Sequence, residues 1–272
     1  MKSIKLSSGH EMPILGLGTW QMKGKECKEA AKAAIKIGYN HIDTAYVYDN
    51  QKEIAQAIKE SKVDRNKLFI TSKVWTEDLK YEDFLKQAEI ILKELQLDYL
   101  DLLLIHWPNR NISMEESFKA FKTLHKQGKV KSIGVSNFTI NHLKKAIKVS
   151  SLPISVNQVE FNPYLNQDEL LKFCKKNNIV ITAYCPLSRG NLLEDPVLKE
   201  IAEIHKKTPA QITLRWIIQK EMIAIPKSRN ESRIKENMEI FNFKLTDEEI
   251  TKINKLNKDL RNCSPGFAEF DY

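Results

Sequence analysis

Four side chains of this sequence have the types that proton chemistry uses, and each follows a short apolar run: Asp43, Tyr48, Lys73 and His106. The stretch GYNHIDTAYVYDN, residues 38–50, carries a carboxylate just past Ile42 and then Tyr48 in the loop beyond. Lys73 closes LFITSK, and His106 follows the leucine-rich YLDLLLI. Singly, each has an ordinary reading: Asp43 a strand-end cap, Lys73 a snorkelling residue, Tyr48 a loop aromatic, His106 a partner for backbone groups. Together they make a chemical sense that each lacks alone. A phenol is a poor proton donor near neutrality because its pKa lies near 10. A cation beside it favours the phenolate and lowers that value. The expectation is that Lys73 supplies the charge, Asp43 holds Lys73 protonated and aimed at the phenol, and His106 donates to the same substrate oxygen. Such a set delivers a proton to a carbonyl being reduced, and in reverse serves alcohol oxidation. No nucleophile and no metal-ligand spacing stands out, so no metal is expected.

These residues need elements to carry them. Strands are predicted near Ile14–Leu17, Asn40–Asp43, Leu68–Lys73, Leu100–Ile105, Ser132–Val135, Ser155–Glu160, Val180–Tyr184 and Ile223–Ile225. Amphipathic helical stretches fall between them: Lys25–Ile37, Gln51–Ser61, Tyr81–Leu95, Met114–Gln127, Ile140–Val149, Gln167–Lys176, Pro196–Lys206 with Pro209–Gln219, and Glu231–Met238. SIKLSSGHEMPIL reads as a hairpin turning at Ser8-Gly9. Strand–helix alternation predicts a parallel sheet with helices outside, and eight units suit a (β/α)8 TIM barrel with an N-terminal β-hairpin. The competing open sheet normally shows G-x-G-x-x-G after its first strand; GLGTW at 16–20 lacks the third glycine. No Pro-, Gly- or Ser-rich linker divides the chain, so residues 1–272 are read as a single domain.

Composition bounds the setting. The chain has 272 residues, 42% hydrophobic and 29% charged, with a net charge of +8. Lysines lie mostly among glutamates on helical stretches, which reads as a solvated surface. No nucleic-acid-reading element is evident, and no apolar run is long enough for a membrane span. The start of the chain has no secretory pattern. Four scattered cysteines without C-x-x-C spacing favour a reduced, cytoplasmic setting. A monomer acting on a small molecule is expected.

The sequence resembles the aldo-keto reductase superfamily, and the resemblance runs nearly end to end, from GLGTW to IPKSRNESRIKEN. GYNHIDTAYVYDNQKEIAQAI is similar to the family's second-strand motif, KSIGVSNF to its fifth and IPKSRNESRIKEN to its eighth. The short tail NCSPGFAEFDY suits the compact microbial type, similar to the 2,5-diketogluconate reductases. The resemblance implies that Asp43, Tyr48, Lys73 and His106 are the catalytic set, with Tyr48 the general acid and NADPH the cofactor. It further implies that Ser136, Asn137 and Gln158 bond the nicotinamide carboxamide, that Tyr184 stacks on the ring, and that Gly18, Thr19 and Asp43 line that end. Pro186, Leu187 and Ser188 would run beside the pyrophosphate. Lys227, Ser228 and Arg233 would take the 2′-phosphate, and Glu236 with Asn237 would face the adenine. The spacing of Lys227 and Arg233 at a helix start suits a dianionic phosphate on its own terms. Departures from the motifs are Asn40, Gln51, Ala55 and Cys185, none of them in the catalytic set.

Trp20, Trp75 and Trp107 each follow a strand end. Core packing is the usual fate of tryptophan, yet aromatics around one barrel mouth also make an apolar substrate pocket. With Tyr48 and His106 they are the substrate-binding candidates, and the short tail predicts a small, open pocket for aldehydes, ketones or keto acids. The rival functions are a nicotinamide-binding regulatory subunit with little turnover and, further off, nucleic-acid binding through the positive charge.

Overall fold

A computed structural model describes residues 2–272. Its chain opens with an antiparallel hairpin, β1 (Ser3–Lys5) on β2 (Glu11–Pro13), turned through Gly9 at φ 89°. Eight parallel strands follow in sequence order around one sheet: β3 (Leu17–Gly18), β4 (His41–Asp43), β5 (Phe69–Val74), β6 (Leu100–Ile105), β7 (Val130–Ser136), β8 (Ile154–Glu160), β9 (Val180–Tyr184) and β10 (Ile223–Ala224). The last strand returns to the first. Gly16 N donates to Ala224 O at 2.9 Å, Ala224 N to Ile14 O at 3.0 Å and Gly18 N to Pro226 O at 3.2 Å. The sheet is thereby a closed barrel, as expected, with no free edge to protect.

The helices occupy the outside because their apolar stripes must be buried against the strands. They are α1 (Gly24–Ile37), α2 (Gln51–Ser61), α3 (Tyr81–Leu95), α4 (Met114–Lys126), α5 (Ile140–Val149), α6 (Asp168–Lys176), α7 (Pro196–His205), α8 (Pro209–Gln219), α9 (Glu231–Met238) and α10 (Asp247–Asn254). One large apolar cluster fills the layer between helices and strands, from Cys27 and Ile91 to Trp216. A second fills the barrel axis, where Phe69, Leu102, Leu104, Val156 and Ile223 meet Leu6 and Met12 of the hairpin. The hairpin thus plugs the end of the barrel opposite the strands' C-termini.

Two expectations need correction. The first barrel strand is shorter than Ile14–Leu17 and shifted to Leu17–Gly18, because Ile14 to Gly16 reach β10 only through isolated closing bonds. A tenth helix, α10, lies beyond the last one predicted. Its start is a reciprocal cap in which Thr246 Oγ1 accepts from Glu249 N and Glu249 accepts from Thr246 N. That T-x-x-E signal is present in the sequence, but little apolar periodicity follows it.

Candidate active site

The position of Asp43 follows from how β4 begins and ends. Gly38 stops α1 with φ 111°, a conformation open to glycine, and its N–H closes onto Ala34 O and Ile35 O. Three residues of strand then place Asp43 beside Gly18 and Thr71 at the barrel's C-terminal end. The loop beyond is tied down by Asn50, which is buried. Its side chain accepts from Thr44 Oγ1 at 2.7 Å and donates to Thr19 O and Met22 O, each at 2.9 Å. The short 3-10 turn Tyr46–Tyr48 sits inside that tether, so Tyr48 is held over the mouth. Asn50 is a positioning group that no motif of sequence type singled out.

Lys73 and Asp43 form a fully buried ion pair. Lys73 Nζ donates to Asp43 Oδ1 at 2.6 Å and to Thr44 O at 2.8 Å, while Gln158 Nε2 donates to Asp43 Oδ2 at 2.7 Å. The ammonium lies 5.0 Å from the centre of the Tyr48 ring. His106 stands edge-on to that ring at 5.5 Å and to Trp75 at 5.3 Å. Its Nδ1 is buried and unpaired, a polar atom facing no protein partner. The four groups drawn from three strand ends therefore meet at one place.

Their ionisation differs from the expectation. Burial pushes the Tyr48 phenol well above its ordinary value, and the negative charge of Asp43 adds to the rise. Lys73 does not offset this, because its charge is spent on Asp43 and because burial lowers the amine itself. Asp43 is raised by burial and held back by Lys73 and Gln158. His106 is held well below its usual range by burial and then by Lys73. At neutral pH both Tyr48 and His106 are uncharged hydrogen-bond donors.

The remaining candidates fall into two groups. Ser136, Asn137, Gln158 and Tyr184 are contiguous with the four: Ser136 Oγ donates to Gln158 O, Asn137 Nδ2 to His106 O, and Tyr184 OH to Asn137 Oδ1 at 2.8 Å. Gly18 and Thr19 border them, with Thr19 Oγ1 donating to Asp43 O at 2.8 Å. Asn137 holds φ at 63°, which turns its amide toward the mouth's rim of partners. The second group lies where β9 and β10 open out. Pro186 and Ser188 are buried and Leu187 half-buried in the loop after β9, and Ser188 Oγ accepts from Asn262. Lys227 and Arg233 are exposed, whereas Ser228 is buried and bonded to Asn230, the cap of α9. Glu236 is committed elsewhere: its carboxylate accepts from Thr208 Oγ1 at 2.7 Å at the start of α8. Asn237 beside it is buried.

Trp75 and Trp107 share the neighbour Phe267, Trp20 lies apart from them near Arg189 and Lys227, and the three differ in exposure. Trp20 is 42% exposed, Trp75 half-buried and Trp107 only 4% exposed. What covers Trp107 is the C-terminal tail, since Phe267 and Phe270 lie edge-on to it at 5.5 and 5.7 Å, and Phe267 meets Trp75 at 5.5 Å as well. Two buried carboxylates hold the tail there. Glu160 accepts from the backbone N–H of Asn262 and Cys263, and Glu269 accepts from Arg110 N at 2.7 Å and is bonded to His142 Nε2 at 2.9 Å. Phe267 and Phe270, which cover these tryptophans, were not among the residues singled out from the sequence. The aromatics of FAEFDY were visible, but not the end of the barrel they cross.

The chain matches the family model described as "Aldo/keto reductase family" over residues 14–258. It is 49% identical over 260 residues to a glyoxal reductase of Bacillus subtilis (strain 168), a match covering 95% of this chain and 94% of that protein. Among solved structures, MGS-M4, an aldo-keto reductase from a Medee basin deep-sea metagenome library, superposes with a TM-score of 0.95 at 42% identity, covering 99% of this chain and all (100%) of that one. An aldo-keto reductase from Bombyx mori, solved in complex with NADP, superposes with a TM-score of 0.92 at 34% identity, covering 97% and 95%.

Proposed function

The chain belongs to the aldo/keto reductase family, and from that premise we propose that it reduces small aldehydes, ketones or keto acids to alcohols with NADPH. The observation that carries the reading is the convergence of Tyr48, His106 and the Lys73–Asp43 pair at one end of the barrel. NADPH, when bound, supplies the hydride. The donor set fits that cofactor: an aromatic face at Tyr184 with amide and hydroxyl partners at Asn137, Ser136 and Gln158, and the cations Lys227 and Arg233 about Ser228 for a phosphate. Phosphate recognition by two cations favours NADPH over NADH.

Tyr48 is the general acid in this reading. A phenol pushed up by burial stays protonated until a strong base meets it, and an alkoxide formed by carbonyl reduction is a far stronger base than phenolate. The proton then moves from Tyr48 OH to that oxygen, and the phenolate left behind gains the ammonium of Lys73, 5.0 Å from its ring. Neutral His106 holds the carbonyl oxygen by a hydrogen bond. Asp43 keeps Lys73 charged and aimed. Trp20, Trp75, Trp107 and Phe267 make the apolar walls that exclude water from the exchange.

Glyoxal, methylglyoxal and simple keto acids are the first substrates to test, since the short tail predicts a small pocket and a 49%-identical relative is a glyoxal reductase. NADPH consumption with a panel of such carbonyls, scored by kcat/KM, supports the enzyme. Quenching of tryptophan fluorescence by NADPH with no turnover on any of them supports the regulatory-subunit alternative instead.

A further inference from the structure

Asn50 stands directly before α2, where an asparagine ordinarily accepts from the free N–H groups of the first helical turn. Thr139, Asp195, Thr208, Asn230 and Thr246 all do this for the helices they precede. Asn50 does not. Its buried side chain reaches across to the loop after β3 instead. A helix cap is forgone, and a local rule set aside at the mouth of a barrel is the mark of a functional constraint.

The constraint is visible in what the amide meets. Nδ2 donates to Thr19 O and to Met22 O, each at 2.9 Å, and these are the two ends of the turn that carries Trp20. That turn holds Gln21 at φ 61°, which is costly for a residue other than glycine, so the turn has to be pinned from outside. On the other side Oδ1 accepts from Thr44 Oγ1 at 2.7 Å, and the carbonyl of the same Thr44 takes the Lys73 ammonium at 2.8 Å. The amide has one possible orientation, because Thr19 O and Met22 O can only accept and the nitrogen must face them. Gln51, next in the chain, is fixed to the barrel by accepting from Ser72 Oγ at 2.7 Å, beside Lys73. Thr19, Met22 and Thr44 are fully buried, where water does not replace a lost bond.

We infer that Asn50 is a positioning residue that joins the turn of Trp20 to the seat of Lys73, so that an apolar wall and the charge behind Tyr48 keep one fixed relation. It acts through Thr44 and Lys73 rather than on the reacting atoms. Its effect on rate rests on the carbonyl-reduction reading given above; its hold on Trp20 does not.

Two measurements on the whole chain test it: kcat for glyoxal with NADPH, and the decay of tryptophan fluorescence anisotropy in the absence of cofactor. Asn50→Asp keeps the size of the side chain and its capacity to cap α2, but turns oxygen toward Thr19 O and Met22 O. It should lower kcat about tenfold, the scale of a small misplacement at a reacting group. Placed on Lys73→Met it should cost less than about twofold, since both changes act on one path. It should also add a fast local motion to the anisotropy decay, and Trp20→Phe should abolish that motion. Thr44→Val, which leaves the turn of Trp20 bonded, should lower kcat as well, and Thr44→Ser should recover most of that loss. Wild-type kcat or wild-type anisotropy in Asn50→Asp overturns the inference, as does an undiminished fall on Lys73→Met. Absence of wild-type turnover on every carbonyl tried overturns the carbonyl-reduction reading instead, and the anisotropy then decides whether Asn50 holds Trp20.

Discussion

At the scale of residues, the convergence of the four side chains proposed as catalytic was legible in their types and positions, but their ionisation was not. A lysine ending LFITSK and an aspartate ending HID announce themselves because apolar strands seldom close on charge. Whether Lys73 lowers the phenol of Tyr48 depends on how deep the group lies and where the charge of Lys73 is spent, and both are tertiary quantities. In the structure Lys73 is spent on Asp43 and Thr44, and burial dominates at Tyr48. Under the proposed mechanism, removing the amine therefore acts on the phenolate after proton transfer rather than on the resting phenol. Lys73→Met should lower kcat by about 10²- to 10⁴-fold while changing the Kd for NADPH less than twofold. It should also cost about 3 kcal/mol of stability in urea unfolding, because it leaves Asp43 buried with only Gln158. Adding Asp43→Asn should restore part of that stability and none of the rate. Equal loss of cofactor affinity and rate in Lys73→Met contradicts this division of roles.

At the scale of elements, strands were read from apolar runs and helices from caps, and the errors fall where an element is held by something other than its own pattern. The strand β3 is two residues long because the closing bonds to β10 come from Ile14 to Gly18 as a ribbon. Its glycine at position 16 has a reason no local pattern reveals. A Cβ there would lie 2.3 Å from Nδ1 of His41, which fills the barrel axis from β4 and bonds Thr71. Gly16→Ala should therefore destabilise the barrel by about 1–3 kcal/mol as an overpacking change. The double variant Gly16→Ala/His41→Ala should lose less than the sum of the singles in thermal or urea unfolding, which reveals the clash as pairwise. Full additivity removes His41 from the explanation.

At the scale of the whole molecule, strand–helix alternation and an N-terminal hairpin made the barrel readable, while the path of the C-terminal tail was not. The tail is held by Glu160, Arg110 and His142, contacts more than a hundred residues away in sequence, and no periodicity encodes them. Depth of burial also sets how the whole fold answers acid. Burial lowers His41 from 6.5 to about 3. Unfolded chains bind this proton below pH 6.5 and the folded barrel does not until about pH 3, so the unfolded state holds more protons in that window. The contribution is fully present above pH 6.5 and is lost as the pH falls, at about 1.4 kcal/mol per pH unit. Urea midpoints between pH 7 and pH 5 should fall more for wild type than for His41→Asn. An equal fall in both contradicts a neutral, buried His41. The central claim is that Tyr48 gives the proton without holding the cofactor. It is tested most directly by Tyr48→Phe, with kcat for a simple aldehyde and Kd for NADPH measured on the same preparation. The account predicts that turnover falls by about 10³-fold or more with the NADPH affinity kept within about twofold. Turnover near that of the wild type contradicts it.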